Sequence, residues 1–182
     1  MNPSLRQTKM KKIIVIGCPG SGKSTFARAL NCITGIPLYP LDLLYWNPDK
    51  TTVSKEVFRQ RLKNTLALDS WIIDGNYGST MELRLQFCDT VFFLDYATEV
   101  CLAGVASRKG KPRPDLPWVE TGEDDEFLAF VQAYNTESKP KVIDLLKKYP
   151  DKKVIRFFER EESEQFLRNL ENTILPNSLP LS

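Results

Sequence analysis

Histidine is missing from all 182 residues. Its absence excludes Ser-His-Asp hydrolases, Cys-His proteases, His-phosphorelay proteins and most zinc or non-haem iron enzymes. Proton transfer near neutral pH must then rest on a carboxylate, Tyr, Lys, Cys or water. Long apolar runs are missing as well. The longest, Ile13–Ile16 and Val91–Leu94, fall far short of the ~20 residues of a membrane-spanning helix, so no membrane span is expected. Cysteine is sparse: Cys18, Cys32, Cys88 and Cys101 are scattered without a C-x-x-C pair. That pattern suits reduced thiols and a cytoplasmic location better than a disulfide framework. Neither sign of charge dominates, since 25 Lys and Arg against 23 Asp and Glu leave a net +2. A nucleic-acid partner is therefore not expected. The first ten residues are polar and lack the apolar centre of a signal peptide.

What is present describes a globular chain. Hydrophobic residues are 42% and charged residues 26%, near the averages for soluble domains. One domain is expected over 1–182, with 1–9 and 175–182 as loose ends, existing as a monomer or homodimer. Lys12–Ile16 is a continuous apolar run, as a doubly buried parallel strand would be. Further strands are predicted at Pro37–Leu41, Trp71–Ile73, Thr90–Leu94 and Lys153–Phe158. Helical patterns alternate with them at Ser24–Cys32, Ser54–Ala67, Thr80–Gln86, Ala97–Arg108, about Gly122–Asn135, Lys139–Lys148 and Ser163–Asn172. Ser54 is a candidate N-cap, and Thr121–Asp124 resembles a capping box. The alternation predicts an α/β fold with a parallel sheet covered by helices on both faces. Ligands then sit beyond the carboxyl ends of the strands, where Asp42, Asp74 and Asp95 fall.

The strongest motif is Gly17, Cys18, Pro19, Gly20, Ser21, Gly22, Lys23 and Ser24, a full match to G-x-x-x-x-G-K-[ST], followed by Thr25. Glycines let the backbone curl so that successive N–H groups point at a β-phosphate, and the following helix N-terminus adds partial positive charge. Lys23 reaches the β- and γ-oxygens, and Ser24 is a Mg²⁺ ligand. ATP and Mg²⁺ are the expected cofactors. Guanine-reading N-K-x-D and T-K-x-D segments are absent, which argues against a GTPase. The stretch from about 109 to 120, carrying Lys109, Lys111 and Arg113 just after Arg108, reads as a short lid. Its cations would close over the γ-phosphate; a solvated basic loop is the alternative. Cys18 has no catalytic role here, but its thiol is exposed to oxidation or alkylation on this reading.

These residues resemble those of the adenylate-kinase-like branch of P-loop kinases, and more closely a bacterial group called topology modulation proteins. The matching stretches are G-C-P-G-S-G-K-S (17–24), L-D-L-L-Y-W (41–46), W-I-I-D-G-N-Y (71–77), C-D-T-V-F-F-L-D (88–95), R-K-G-K-P-R-P-D (108–115) and K-P-K-V-I-D-L-L-K-K-Y (139–149). The resemblance implies a five-stranded parallel core in order 2-3-1-4-5 with a short lid. It implies a phosphotransferase moving the ATP γ-phosphoryl group to a small-molecule acceptor. An ATP-dependent regulatory switch and a nucleic-acid-associated protein are the other classes to weigh.

Departures from the adenylate-kinase pattern bear on the acceptor. Tyr45 stands where an AMP-gripping arginine is usual, and Asn76-Tyr77 follow Asp74-Gly75 in place of F-P-R. A nucleoside monophosphate is therefore a doubtful acceptor. Asp42 is expected to orient the attacking hydroxyl, or else to cap a helix. Asp95 is expected to hold Mg²⁺, or to cap the strand end. Asp74 is divided between the Mg²⁺ shell, the acceptor and the turn with Gly75. Tyr45, Trp46 and Tyr77 are candidates to line the acceptor pocket by stacking, with core cover as the alternative. Arg84 either reaches that pocket or lies exposed on its helix.

Overall fold

A computed structural model describes residues 10–117 and 125–174. Thr121–Asp124, the start of the helix predicted from Gly122, the last part of the lid and both chain ends lie outside the described residues. Along the chain run β1 (Lys12–Gly17), α1 (Lys23–Thr34), β2 (Leu38–Pro40), α2 (Leu41–Tyr45), α3 (Lys55–Leu66), β3 (Trp71–Asp74) and α4 (Gly78–Phe87). They are followed by β4 (Thr90–Leu94), α5 (Thr98–Arg108), α6 (Asp125–Ala133), a π-helical turn (Tyr134–Ser138), α7 (Lys139–Lys147), β5 (Lys153–Phe157) and α8 (Arg160–Ile174). All strand pairs are parallel, in the order β2-β3-β1-β4-β5. The predicted fold class and strand order are those observed.

Alternation along β1 divides the core into two apolar layers. Ile13 and Val15 pack with Phe26 and Leu30 of α1 and with Phe92. Ile14 and Ile16 pack with Phe58 and Leu62 of α3, Leu85 of α4 and Phe93. Each such side chain, fully buried, contributes about 1.5–3 kcal/mol. The central strands are therefore fixed from both faces, and their carboxyl ends form a rigid edge. Ser54 caps α3 as predicted, accepting from the Val57 N–H at 3.2 Å.

Two local features differ from the sequence reading. The second strand stops at Pro40, whose ring fixes φ at −64° and which has no N–H to donate to the ladder. The chain then turns into α2, so Asp42 lies in a helical first turn rather than at a strand end. The π-helical turn between α6 and α7 has no signature in the hydrophobic periodicity. Such turns often mark functional sites, and this one places Tyr134 against the cavity described next.

Candidate active site at the carboxyl edge of the sheet

Residues 17–22 loop from β1 into α1. Gly22 caps the helix in the left-handed region at φ 92°, and α1 has no acidic residue in its first turn. Its first N–H groups thus suit an anion. The loop is held from three sides. Asn76, just past β3, donates from Nδ2 to the Gly17 carbonyl at 2.7 Å and accepts the Gly17 N–H at 3.2 Å. Arg160 donates to the Gly20 carbonyl at 3.2 Å. Gly20 and Gly104 of α5 meet backbone to backbone: a Cβ on Gly104 would stand 2.0 Å from the Gly20 oxygen, and one on Gly20 2.0 Å from the Cys101 oxygen. Gly104→Ala is accordingly expected to cost about 1–3 kcal/mol by overpacking and to weaken nucleotide binding by displacing the loop. Denaturant unfolding and calorimetry on the same preparation check both effects; unchanged nucleotide affinity would break the link between α5 and the loop.

Lys23 folds back so that Nζ donates to the Cys18 carbonyl at 3.0 Å. Burial lowers the pKa of its ammonium, the Asp74 charge opposes that, and Arg108 adds to the lowering. Asp74, the last residue of β3, is itself buried. Burial pushes its carboxyl up to about 6, against the Lys23 charge and a Ser24 hydrogen bond, while Asp115 and Asp42 add to the rise. A carboxyl with a folded pKa above the ordinary ~3.9 holds its proton more tightly in the folded chain. Its contribution to stability therefore falls as pH rises from about 4 to about 6 and stays low above that. Asp74→Asn cannot ionise. Relative to wild type, the variant is expected to gain about 2–3 kcal/mol between about pH 4 and pH 7. Chemical denaturation at several pH values reads this difference, and a flat profile would count against a buried, ionised Asp74.

Across the cleft, the Tyr77 hydroxyl donates to Asp42 Oδ1 at 2.7 Å. Burial raises the Asp42 carboxyl; Tyr77, Arg113 and Lys23 pull it down, and Asp115 pushes it up again. Tyr77 adopts a left-handed backbone conformation, φ 34°, and that posture traces to Arg84. Arg84 is neither in the acceptor pocket nor exposed on its helix, the two places the sequence offered. It is fully buried and donates to the carbonyls of Gly75 (2.8 Å), Asn76 and Tyr77 (3.3 Å). Burial lowers its pKa to about 10, still charged at neutral pH. Trp46 and Tyr77 line the cavity. Tyr45 does not; it packs behind them, edge-on to Trp46, Phe58 and Tyr77 at centroid distances of 5.2–5.3 Å.

Arg108, at the end of α5, and Arg113 both line the cavity. Arg108 lies over the Phe127 ring at 5.7 Å. Arg113 stands 3.6 Å from Asp115, and the buried Asp115 also binds Arg28 of α1 at 2.9 Å. Residues 109–117 are thereby anchored to the helix that carries the phosphate loop. Thr25 is exposed on α1 and accepts from Arg28 at 3.3 Å. Asp95 corrects the expectation of a metal ligand. Its carboxylate is engaged by Arg156, at 2.7 Å from Nε, and by Lys139 at 2.7 Å. A second Arg156 nitrogen reaches the same oxygen, and Asp95 does not line the cavity. Cys18 also departs from expectation: it is 2% exposed, and hydrogen bonding with Cys101, then burial, pushes its thiol pKa up. It is shielded from the reagents that would oxidise or alkylate it.

Pro19, Lys23, Ser24, Asp42 and Asp74 open into one cavity of about 1230 Å³. Met81 of α4 and Val142 and Leu145 of α7 form its apolar wall. Beside the phosphate loop, a recess of about 690 Å³ lies between α5 and residues 158–161, bounded by Gly104 and Arg160. Sequence reasoning missed Asn76, Asp115, Arg28 and Arg160. Asn76 was within reach, since it lies in the stretch W-I-I-D-G-N-Y. No helix among the described residues is long and apolar enough to cross a membrane.

The sequence matches no protein-family model and no curated protein. Solved structures do resemble it. A shikimate kinase from Bacteroides thetaiotaomicron superposes with a TM-score of 0.55 at 21% identity, over 90% of this chain and 98% of that one. A shikimate kinase from Acinetobacter baumannii in complex with shikimate gives 0.56 at 16% identity, over 97% and 99%. A sugar kinase from Janibacter sp. HTCC2649 gives 0.50 at 18% identity, over 92% and 95%. The similarity is one of fold, and it extends along nearly the whole chain.

Proposed function

We propose that this chain is an ATP-dependent small-molecule kinase related to the adenylate kinases and resembling the topology modulation proteins. The observation that carries the reading is the shared cavity. Lys23 and Ser24 of the phosphate loop share it with Asp42, Asp74, Tyr77, Arg108 and Arg113. The kinases of similar fold support the same class. Bound ATP would set its phosphates over residues 17–24, and the recess beside Gly104 and Arg160 would receive its base. Mg²⁺ fits Ser24 and Asp74: Asp74 Oδ1 is buried without a hydrogen-bond partner among the described residues, an oxygen suited to a hydrated cation. The ion supplies charge neutralisation at the phosphates.

The chain's own residues do the rest. Asp42 accepts the hydrogen of the acceptor hydroxyl and aims its oxygen at the γ-phosphorus. The new O–P bond forms as the bridge to the β-phosphate breaks, ADP leaves, and the proton passes to Asp42. Lys23, Arg108 and Arg113 offset charge on the phosphoryl group. Purified protein with Mg·ATP should release ADP at a rate that depends on which acceptor is offered. Equal release across a wide panel, unchanged in Asp42→Ala, overturns the reading.

A further inference from the structure

Asn76 and Tyr77 are chain neighbours whose side chains hold different halves of the cleft. Asn76 grips Gly17 of the phosphate loop through two hydrogen bonds, at 2.7 and 3.2 Å. Tyr77 donates to Asp42 Oδ1 at 2.7 Å. The separation of loop and carboxylate therefore depends on the backbone of one short turn, residues 75–77. Regular structure holds only the two ends of that turn. The β3 ladder reaches it from the Gly75 N–H to the Val15 carbonyl at 3.2 Å. The first turn of α4 reaches it from the Thr80 N–H and hydroxyl to the Tyr77 carbonyl, at 2.9 and 3.0 Å. Between those ends, Gly75 (φ 131°) and Tyr77 (φ 34°) both take positive φ, a strained posture for tyrosine.

Arg84 holds the middle. It reaches back from α4, fully buried, and donates to the carbonyls of Gly75 at 2.8 Å, Asn76, and Tyr77 at 3.3 Å. Among the described residues, no other donor reaches the Gly75 and Asn76 carbonyls. The planar fork of one guanidinium thus fixes three successive oxygens. With the carbonyls fixed, so are the directions in which the Asn76 and Tyr77 side chains leave the backbone. A buried cation is costly unless polar groups answer it, and among the described residues carbonyls alone do so here. Leucine or methionine would fill the space without that cost. Gly75 also packs on Leu41, where a Cβ would come within 3.1 Å of the side chain. Leu41 opens α2, the helix that carries Asp42.

We propose that Arg84 is a positioning residue that sets the gap between the phosphate loop and Asp42, acting through Asn76 on one side and Tyr77 on the other. The two grips stand on geometry alone; taking the gap as the distance from γ-phosphate to acceptor rests on the kinase reading. Phosphoryl transfer tolerates little error there, since a displacement of about 1 Å can cost ~10²-fold in rate. The test compares wild type, Arg84→Gln, Arg84→Lys, Asn76→Ala and Tyr77→Phe as full-length chains. Deuterium exchange follows the Gly17 amide. NMR follows the Tyr77 ring, whose shifts are set by Tyr45 and Phe58 at centroid distances of 5.2 Å. Calorimetry with Mg²⁺ and a non-hydrolysable ATP analogue gives nucleotide affinity.

In folded Arg84→Gln, Gly17 is expected to exchange at least about tenfold faster than global unfolding of that variant allows. The Tyr77 ring moves toward free-tyrosine shifts, and nucleotide affinity falls about three- to tenfold. Arg84→Lys keeps the charge without the fork and is expected to recover part of each; where Arg84→Gln does not fold, it is judged by the same signals. Asn76→Ala releases Gly17 alone, and Tyr77→Phe leaves Gly17 protected. On an active acceptor, kcat in Arg84→Gln falls ~10²-fold, and adding Tyr77→Phe costs less there than in wild type. A folded Arg84 variant that moves only one grip, or neither, overturns the proposal. So do loosened grips with unchanged kcat, and so does failure of both Arg84 variants to fold, which would assign the residue to the stability of the whole chain. If both grips loosen while wild type shows no acceptor-dependent ADP release, the positioning role holds and the kinase reading falls.

Discussion

Lys23→Ala is expected to lower ATP-dependent turnover by ~10³-fold or more and to weaken nucleotide binding with it. A single preorganised donor at a developing charge is worth ~10²–10³ in rate, and Lys23 adds a full positive charge inside a cleft with little water to screen it. The same substitution leaves the fold nearly intact, because among the described residues this side chain hydrogen-bonds only the Cys18 carbonyl. Circular dichroism and thermal melting are thus expected to stay close to wild type while calorimetry loses the nucleotide signal. Its removal also withdraws the positive charge that restrains the Asp74 carboxyl, so Asp74 shifts further upward. A folded variant that keeps its turnover would refute the assignment of residues 17–24 as a triphosphate loop.

Asp42→Asn separates orientation from binding. Asparagine keeps the shape and can still accept the Tyr77 hydrogen bond at Oδ1, now 2.7 Å long, but it cannot take the acceptor's proton. A fall in kcat of ~10²–10⁴-fold is expected, with ATP affinity held within about twofold, the scatter allowed for a site that does not touch the phosphates. Tyr77→Phe is expected to cost about tenfold, since one hydrogen bond to a charged group is worth about 1.5 kcal/mol or more. Steady-state kinetics on an active acceptor, alongside nucleotide titrations, reads both effects. An equal loss in ATP affinity for Asp42→Asn would move Asp42 to the nucleotide side of the cleft.

The sequence made the frame legible because the frame is built from local signals. Apolar runs marked the central strands, glycines at fixed spacing marked the phosphate loop, and residue type placed Asp42, Asp74, Trp46 and Tyr77 at one edge. What was not legible depends on which distant residue answers a charge. Asp95 reads as a metal ligand by its place at a strand end, but Lys139 and Arg156, 44 and 61 positions away, engage its carboxylate. Local sequence places Arg84 neither in the acceptor pocket nor in the core, because its partners are carbonyls whose positions follow from the shape of residues 75–77. Tyr45 and Trp46 are neighbours of similar chemistry. Only the short helix α2, begun by Pro40, decides that Trp46 faces the cavity and Tyr45 the core. The Arg28–Asp115 tie joins a helix and a lid that no local pattern connects.

The two-point amide contact between Asn76 and Gly17 joins residues 59 positions apart. It sits just beyond the central strand β1 and its neighbour β3, where opening means separating the sheet itself. The Gly17 amide proton is therefore expected to exchange with solvent deuterium only through global unfolding, with a protection free energy equal to that of the whole chain. Amides of residues 109–117, whose backbone partners among the described residues are confined to short turns, are expected to exchange by local opening under the same conditions. Exchange at Gly17 as fast as in that segment would mean that the phosphate loop loosens independently of the sheet. Slow exchange there would mean that the floor of the cleft persists as long as the native state does, while the segment above it opens and closes many times.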